Sequence, residues 1–105
     1  MDLNEAMKKT KKVVEEIEEK RGRKWDTKTR FIDLVEEVGE LANALILEHG
    51  NKPERARRAE LVDSVCDVLF DLLILAEMYN IDLDKEYPKV LDHIRKRNEE
   101  GQFVD

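Results

Sequence analysis

The chain is short of most residues that punctuate or staple a fold. It has one cysteine, two prolines and four glycines in 105 residues, and aromatic side chains make up 6% of it. A lone Cys66 forms no intrachain disulfide, which excludes a bridge-stapled secreted scaffold. Cys66 is expected to be a small core residue, because it sits inside an apolar run. Few glycines and prolines argue against many short strands and tight turns. The opening "MDLNEAMKKTKK" is too polar for a signal peptide, and the longest apolar run is too short and too acidic to span a bilayer. These absences point to a soluble, cytoplasmic protein. Excess positive charge is also missing: the net charge is −6, so broad attraction to nucleic acid or to an anionic membrane is not expected.

What is present is charge and helical periodicity. Charged residues account for 42% and hydrophobic residues for 41% of the chain. From Asp2 to about Arg21, Leu3, Met7, Val13, Val14 and Ile17 recur mostly at three- and four-residue steps, and Gly22 breaks the pattern. Asp26 or Thr27 can cap a second helix running to about His49 and ended by Gly50. Pro53 suits the first turn of a third helix that continues to about Tyr79, apolar enough to be buried on most sides. Asp84 can cap a fourth helix from Lys85 to about Glu100, with Pro88 in or near its first turn, and Phe103 in the tail either packs or frays. The spacing predicts one all-α domain over 1–105, an antiparallel bundle of about four helices. Four short helices leave apolar surface uncovered, so a homodimer or a dimer of dimers is expected.

The third helix carries an anomaly. "LVDSVCDVLFDLLILA" is as greasy as a core, yet at roughly 100° per residue Glu60, Asp63, Asp67 and Asp71 fall within an arc of roughly 80°. Stacked carboxylates repel, and an unpaired buried charge costs several kcal/mol. Solvent or cations must compensate. The second helix has its own cluster, Asp33, Glu36, Glu37 and Glu40, in "FIDLVEEVGELANAL". Glu37 and Glu40 share a face, and Gly39 in mid-helix suits a close approach to the backbone. A short loop makes the two helices antiparallel neighbours, which brings the stripes together. Convergent carboxylates without Cys or His describe a hard-cation site for Mg²⁺ or Mn²⁺. Zinc fits less well, and His49 and His93 read as surface or helix-end residues.

These residues resemble a known family. "LVEEVGELANAL", followed some twenty residues later by an acidic motif leading into an apolar helix, is similar to the MazG-like nucleoside triphosphate pyrophosphohydrolases. They belong to the all-α NTP pyrophosphatase superfamily, with dimeric dUTPases and phosphoribosyl-ATP pyrophosphohydrolase. The resemblance covers roughly Trp25 to Asp84. Glu36, Glu37 and Glu40 match the family's EExxE, which implies Glu37 and Glu40 as metal ligands. The second motif, ExxD, has two registers. Glu60 and Asp63 satisfy it literally, whereas the tail "DVLFDLLILAEMYNIDL" aligns Asp67 with the family's final Asp, leaving Ser64 where a glutamate is expected and Asp63 as its stand-in. Asp71 is atypical for its place, and either extends the site or reaches solvent.

The resemblance implies hydrolysis of a nucleoside triphosphate, or dNTP, between the α and β phosphates, giving the monophosphate and pyrophosphate in the service of nucleotide-pool housecleaning. Glu36 or Glu37 would take the proton from a metal-activated water. Arg95, Lys96 and Arg97, in a basic segment similar to one near the family's C-terminal helix, and Lys28 and Arg30 are candidates for phosphate contacts. Trp25 is a candidate for stacking on a base, or else a packing anchor. The competing expectation is a non-enzymatic helical dimerisation module whose acidic stripe is solvated or binds a structural cation. Ser64 favours that alternative.

Overall fold

The structure, a computed structural model, describes residues 1–46 and 52–101. All regular structure among them is helical: α1 (Leu3–Arg21), α2 (Thr27–Ile46), α3 (Glu54–Met78) and α4 (Leu83–Glu99). Helix α1 starts where the Asp2 carboxylate accepts the Glu5 amide at 2.7 Å. It stops at Gly22, whose φ of 74° is the left-handed geometry that lets its N–H reach the Glu18 carbonyl at 2.8 Å. Asp26 caps α2 by accepting the Thr29 amide at 2.8 Å, and that bond holds its carboxyl below the usual value. Pro53 stands at the N-cap of α3 rather than inside its first turn. The expected end of α2 at His49 and Gly50, and the tail at Phe103, lie outside the described residues.

Two expectations for α4 are corrected. Asp82 caps the helix, not Asp84: its carboxylate accepts the Lys85 amide at 3.2 Å, and α4 therefore begins at Leu83 rather than Lys85. Asp84 instead serves α1, accepting the backbone amides of Leu3 at 3.0 Å and Asn4 at 3.4 Å. Asn4 reciprocates, accepting from the Leu83 amide at 3.1 Å and donating to Asp82 at 2.7 Å. Each of the two helix N-termini thus supplies a side-chain acceptor for the orphan amide donors of the other. Pro88 is the sixth residue of α4, in its second turn, where its missing N–H leaves the Asp84 carbonyl without a helical partner.

Helix α3 is the central element and packs on both α1 and α2, while α4 is tied chiefly to α1. The buried cluster of Met7, Leu73 and Ala76, flanked by Ala6 and Leu83, lies where α1, α3 and the start of α4 meet. Lys11 and Glu77 bridge α1 and α3 at 3.1 Å. The expectation that α3 is buried on most sides does not hold for the single chain. Val62, Val65, Leu69 and Leu72 are exposed, and so is Cys66, which is therefore not a core residue here. Two helices cover only part of an all-round apolar rod. An open apolar cleft of about 1300 Å³ adjoins this surface, lined among others by Phe31, Ile32, Leu72 and Tyr87.

Candidate metal centre on the acidic seam

The α2–α3 packing brings the two acidic stripes into one seam. Periodicity places Asp33, Glu37 and Glu40 along one face of α2, four and then three residues apart, and Asp71, Asp67, Asp63 and Glu60 along α3. Because the helices run antiparallel, Asp33 meets Asp71 at one end of the seam, Glu37 meets Asp67 in the middle, and Glu40 faces Asp63 and Ser64 at the other.

In the middle, Glu37, Glu40 and Asp67 each offer a carboxylate oxygen, all within 4.8 Å of one another, and they form the one such group of three among the described residues. Glu37 is half-buried, and its Oε2 is fully buried with no hydrogen-bond partner. Burial first, then the charges of Glu40, Asp67 and Asp33, pushes its carboxyl from the ordinary 4.5 up to about 7. An all-oxygen donor set, crowded, negative and lacking donors of its own, fits a hard divalent cation.

At the open end, a cleft of about 300 Å³ is lined by Glu40, Asn43, Ala44, Glu60, Asp63, Ser64 and Asp67. Both registers of the second motif therefore reach the same cleft. Only Asp67 joins Glu37 and Glu40 in the close group, whereas Glu60 accepts an ion-paired hydrogen bond from Lys52 at 2.5 Å. Asp63 is exposed at the mouth, and Ser64 is half-buried beside it. Glu36 is exposed and lies outside the close group. Gly39 has nothing within 4 Å of where a Cβ would stand, so no close approach within this chain explains it.

At the closed end, Asp71 is 1% exposed, and neither carboxylate oxygen has a hydrogen-bond partner. It does not reach solvent, contrary to one of its two expected fates. Burial, then the adjacent Asp33 carboxyl, pushes it from 3.8 up to about 7, against the opposing pull of Arg30. Two carboxylates face each other there as acceptors only, and a hydrogen bond forms between them once one holds a proton. Arg30 is 8% exposed, with its guanidinium 4.8 Å from the centre of the Trp25 ring.

The remaining basic candidates are spread out. Lys28 is exposed on the rim of the apolar cleft. Arg95, Lys96 and Arg97 are exposed on α4; Arg95 pairs with Asp92 at 3.3 Å, and Lys96 and Arg97 flank His93 in a separate shallow depression. No α4 residue lines the carboxylate cleft. Sequence reasoning passed over Asn43, which lines that cleft, and the pairing of Asp33 with Asp71. Asn43 lies three residues from Glu40, a helical spacing that would have placed it on the same face.

No protein-family model matches the chain. No solved structure matches it either. The chain is similar to an uncharacterized protein, YpjD of Bacillus subtilis (strain 168), at 32% identity over 69 residues, covering 64% of this chain and 62% of that protein. The chain thus spans less than two thirds of the length of the relative it matches.

Proposed function

We propose that the protein is a MazG-like nucleoside triphosphate pyrophosphohydrolase that requires Mg²⁺ or Mn²⁺ and acts in the cytoplasm on the nucleotide pool. The observation that carries this reading is the convergence of Glu37 and Glu40 with Asp67, since a motif on α2 and an acid on α3 then build one oxygen-only cluster. Glu37, Glu40 and Asp67 would hold the ion, with Asp63 and Glu60 at the mouth of the cleft. A bound divalent cation supplies neutralisation of phosphate oxygens and acidification of a water. Glu37, or its neighbour Glu36, which is exposed outside the close group, would take the water's proton. The cleft is open on one side, which leaves the triphosphate room to approach in line.

Phosphate and base contacts would come from Lys28, Arg30, Arg95, Lys96, Arg97 and Trp25. Within one chain Arg30 is buried against Trp25, while Lys28 and the α4 residues lie on other surfaces; assembly as a homodimer or a dimer of dimers would cover the apolar flank of α3 and bring further side chains to the cleft. Exposed Val65, Leu69 and Leu72 on α3 and Val90, Leu91 and Ile94 on α4 favour such an assembly. The same exposed face, together with Ser64 in the cleft, supports the second reading: a helical dimerisation module that keeps a structural cation and no chemistry.

The test is release of pyrophosphate from a panel of ribo- and deoxyribonucleoside triphosphates with Mg²⁺ or Mn²⁺. The enzyme reading expects at least one nucleotide to yield pyrophosphate and monophosphate in equal amounts. No turnover of any nucleotide, in a protein that the metals stabilise, would establish the module instead.

A further inference from the structure

The closed end of the seam is chemically distinct from the cluster beside it. Asp33 and Asp71 face each other outside the close group that Glu37, Glu40 and Asp67 form. Asp71 is as buried as any side chain of the core, and both of its oxygens lack donors. A carboxylate in that state is untenable as an anion beside a second carboxylate. The charged groups that act on it come from α2: Asp33, Arg30 and Glu37. From α1, the other helix packed on α3, Lys11 is committed to Glu77.

We propose that Asp71 is kept as the neutral carboxylic acid and donates its proton to Asp33, so that it acts as the buried positioning residue that holds Arg30 over the Trp25 ring. With the proton in place, Arg30, Asp33 and Asp71 carry no net charge together. Arg30 is then free to rest its guanidinium on the indole rather than being drawn into the seam. Loss of the proton adds an uncompensated negative charge beneath Arg30, which pulls the guanidinium inward and away from Trp25. The inference concerns this corner of the fold alone and does not depend on the proposed enzymatic activity.

Trp25 is the chain's one tryptophan, so intrinsic fluorescence reports on this corner directly. The wild type is expected to show a fluorescence transition near pH 7, the value to which Asp71 is pushed. Asp71→Asn places a neutral amide donor against Asp33. It should fold, lack that transition, and emit at all pH values as the wild type does below it. The carboxyl ¹³C shift of Asp71 should be that of a protonated acid at pH 6, and its titration midpoint should fall in Asp33→Asn, where the repelling partner is gone and burial alone still raises it. Binding of Mn²⁺ should stay within twofold of wild type in Asp71→Asn. An ionised Asp71 at pH 6 in the wild type would overturn the proposal. A tenfold loss of Mn²⁺ binding in Asp71→Asn would do so too, by making Asp71 a metal ligand.

Discussion

Two carboxyls lifted toward neutrality make the metal-free protein lose stability as the pH rises, the reverse of what salt-bridged acids do. Asp71 goes from 3.8 to about 7 and Glu37 from 4.5 to about 7 on folding. The folded state therefore binds protons more tightly than the unfolded chain. The resulting stabilisation is fully present below the unfolded values and is lost as pH climbs through about 7. For Asp71, with 1% of its surface exposed, the difference corresponds to about 4 kcal/mol at about 1.4 kcal/mol per pH unit. Glu37 is only half-buried, and solvent screening reduces its share to about 1–2 kcal/mol. Against a typical stability of about 5–15 kcal/mol, this is a large fraction. Asp26 and Asp82 are both held below their ordinary value, so they stabilise above it and are lost only at more acidic pH, outside this window. Urea unfolding followed by circular dichroism at pH 5, 6, 7 and 8, with a chelator present, should give a midpoint that falls from pH 5 to about 7 and levels off toward pH 8. In the double variant Glu37→Gln, Asp71→Asn the midpoint should be nearly flat. A wild-type midpoint that is constant or rises from pH 5 to pH 8 would refute the burial and like-charge account of the seam.

Asn4 should matter far more than its surface position suggests, because it bonds three groups at the start of α4. Asn4→Ala is expected to lower stability by about 1 kcal/mol and to speed amide exchange at Leu83 and Asp84, and Asn4→Asp should lose at least as much, because it keeps the acceptor but puts a carboxylate where the amide donates to Asp82. Light scattering should give a mass of two or four chains, since the exposed apolar faces of α3 and α4 need cover; a monomer at micromolar concentration would remove the assembly from the account.

Helix existence was legible in the sequence wherever the signal was local. Asp2, Gly22 and Asp26 mark their helix ends through bonds that span three or four residues. The start of α4 was misplaced because two acids, Asp82 and Asp84, stand near it, and Asn4, on the far side of the chain in sequence, decides which one caps. Helical periodicity found the acidic stripes, since spacing alone fixes which residues share a face. It left open whether Glu60 or Asp67 completes the cluster, a choice that depends on how α2 and α3 are staggered and on Lys52 engaging Glu60. Apolar composition was the least reliable guide. It made α3 and Cys66 core, but a residue's hydrophobicity does not say whether its cover comes from its own chain. Asp71 shows the converse, a charge-bearing type at the most buried position among the described residues, where the pairing of two helices hides it.

The central claim is that Glu37, Glu40 and Asp67 hold the ion on which any phosphate chemistry here depends. Mn²⁺ binding measured by electron paramagnetic resonance at pH 8, alongside pyrophosphate release from the best nucleotide, tests it in Glu40→Gln and Asp67→Asn, with circular dichroism confirming the fold. The account predicts that each variant loses Mn²⁺ affinity by at least tenfold and turnover by at least a hundredfold. Variants that bind Mn²⁺ and release pyrophosphate as the wild type does would place the metal elsewhere and contradict it.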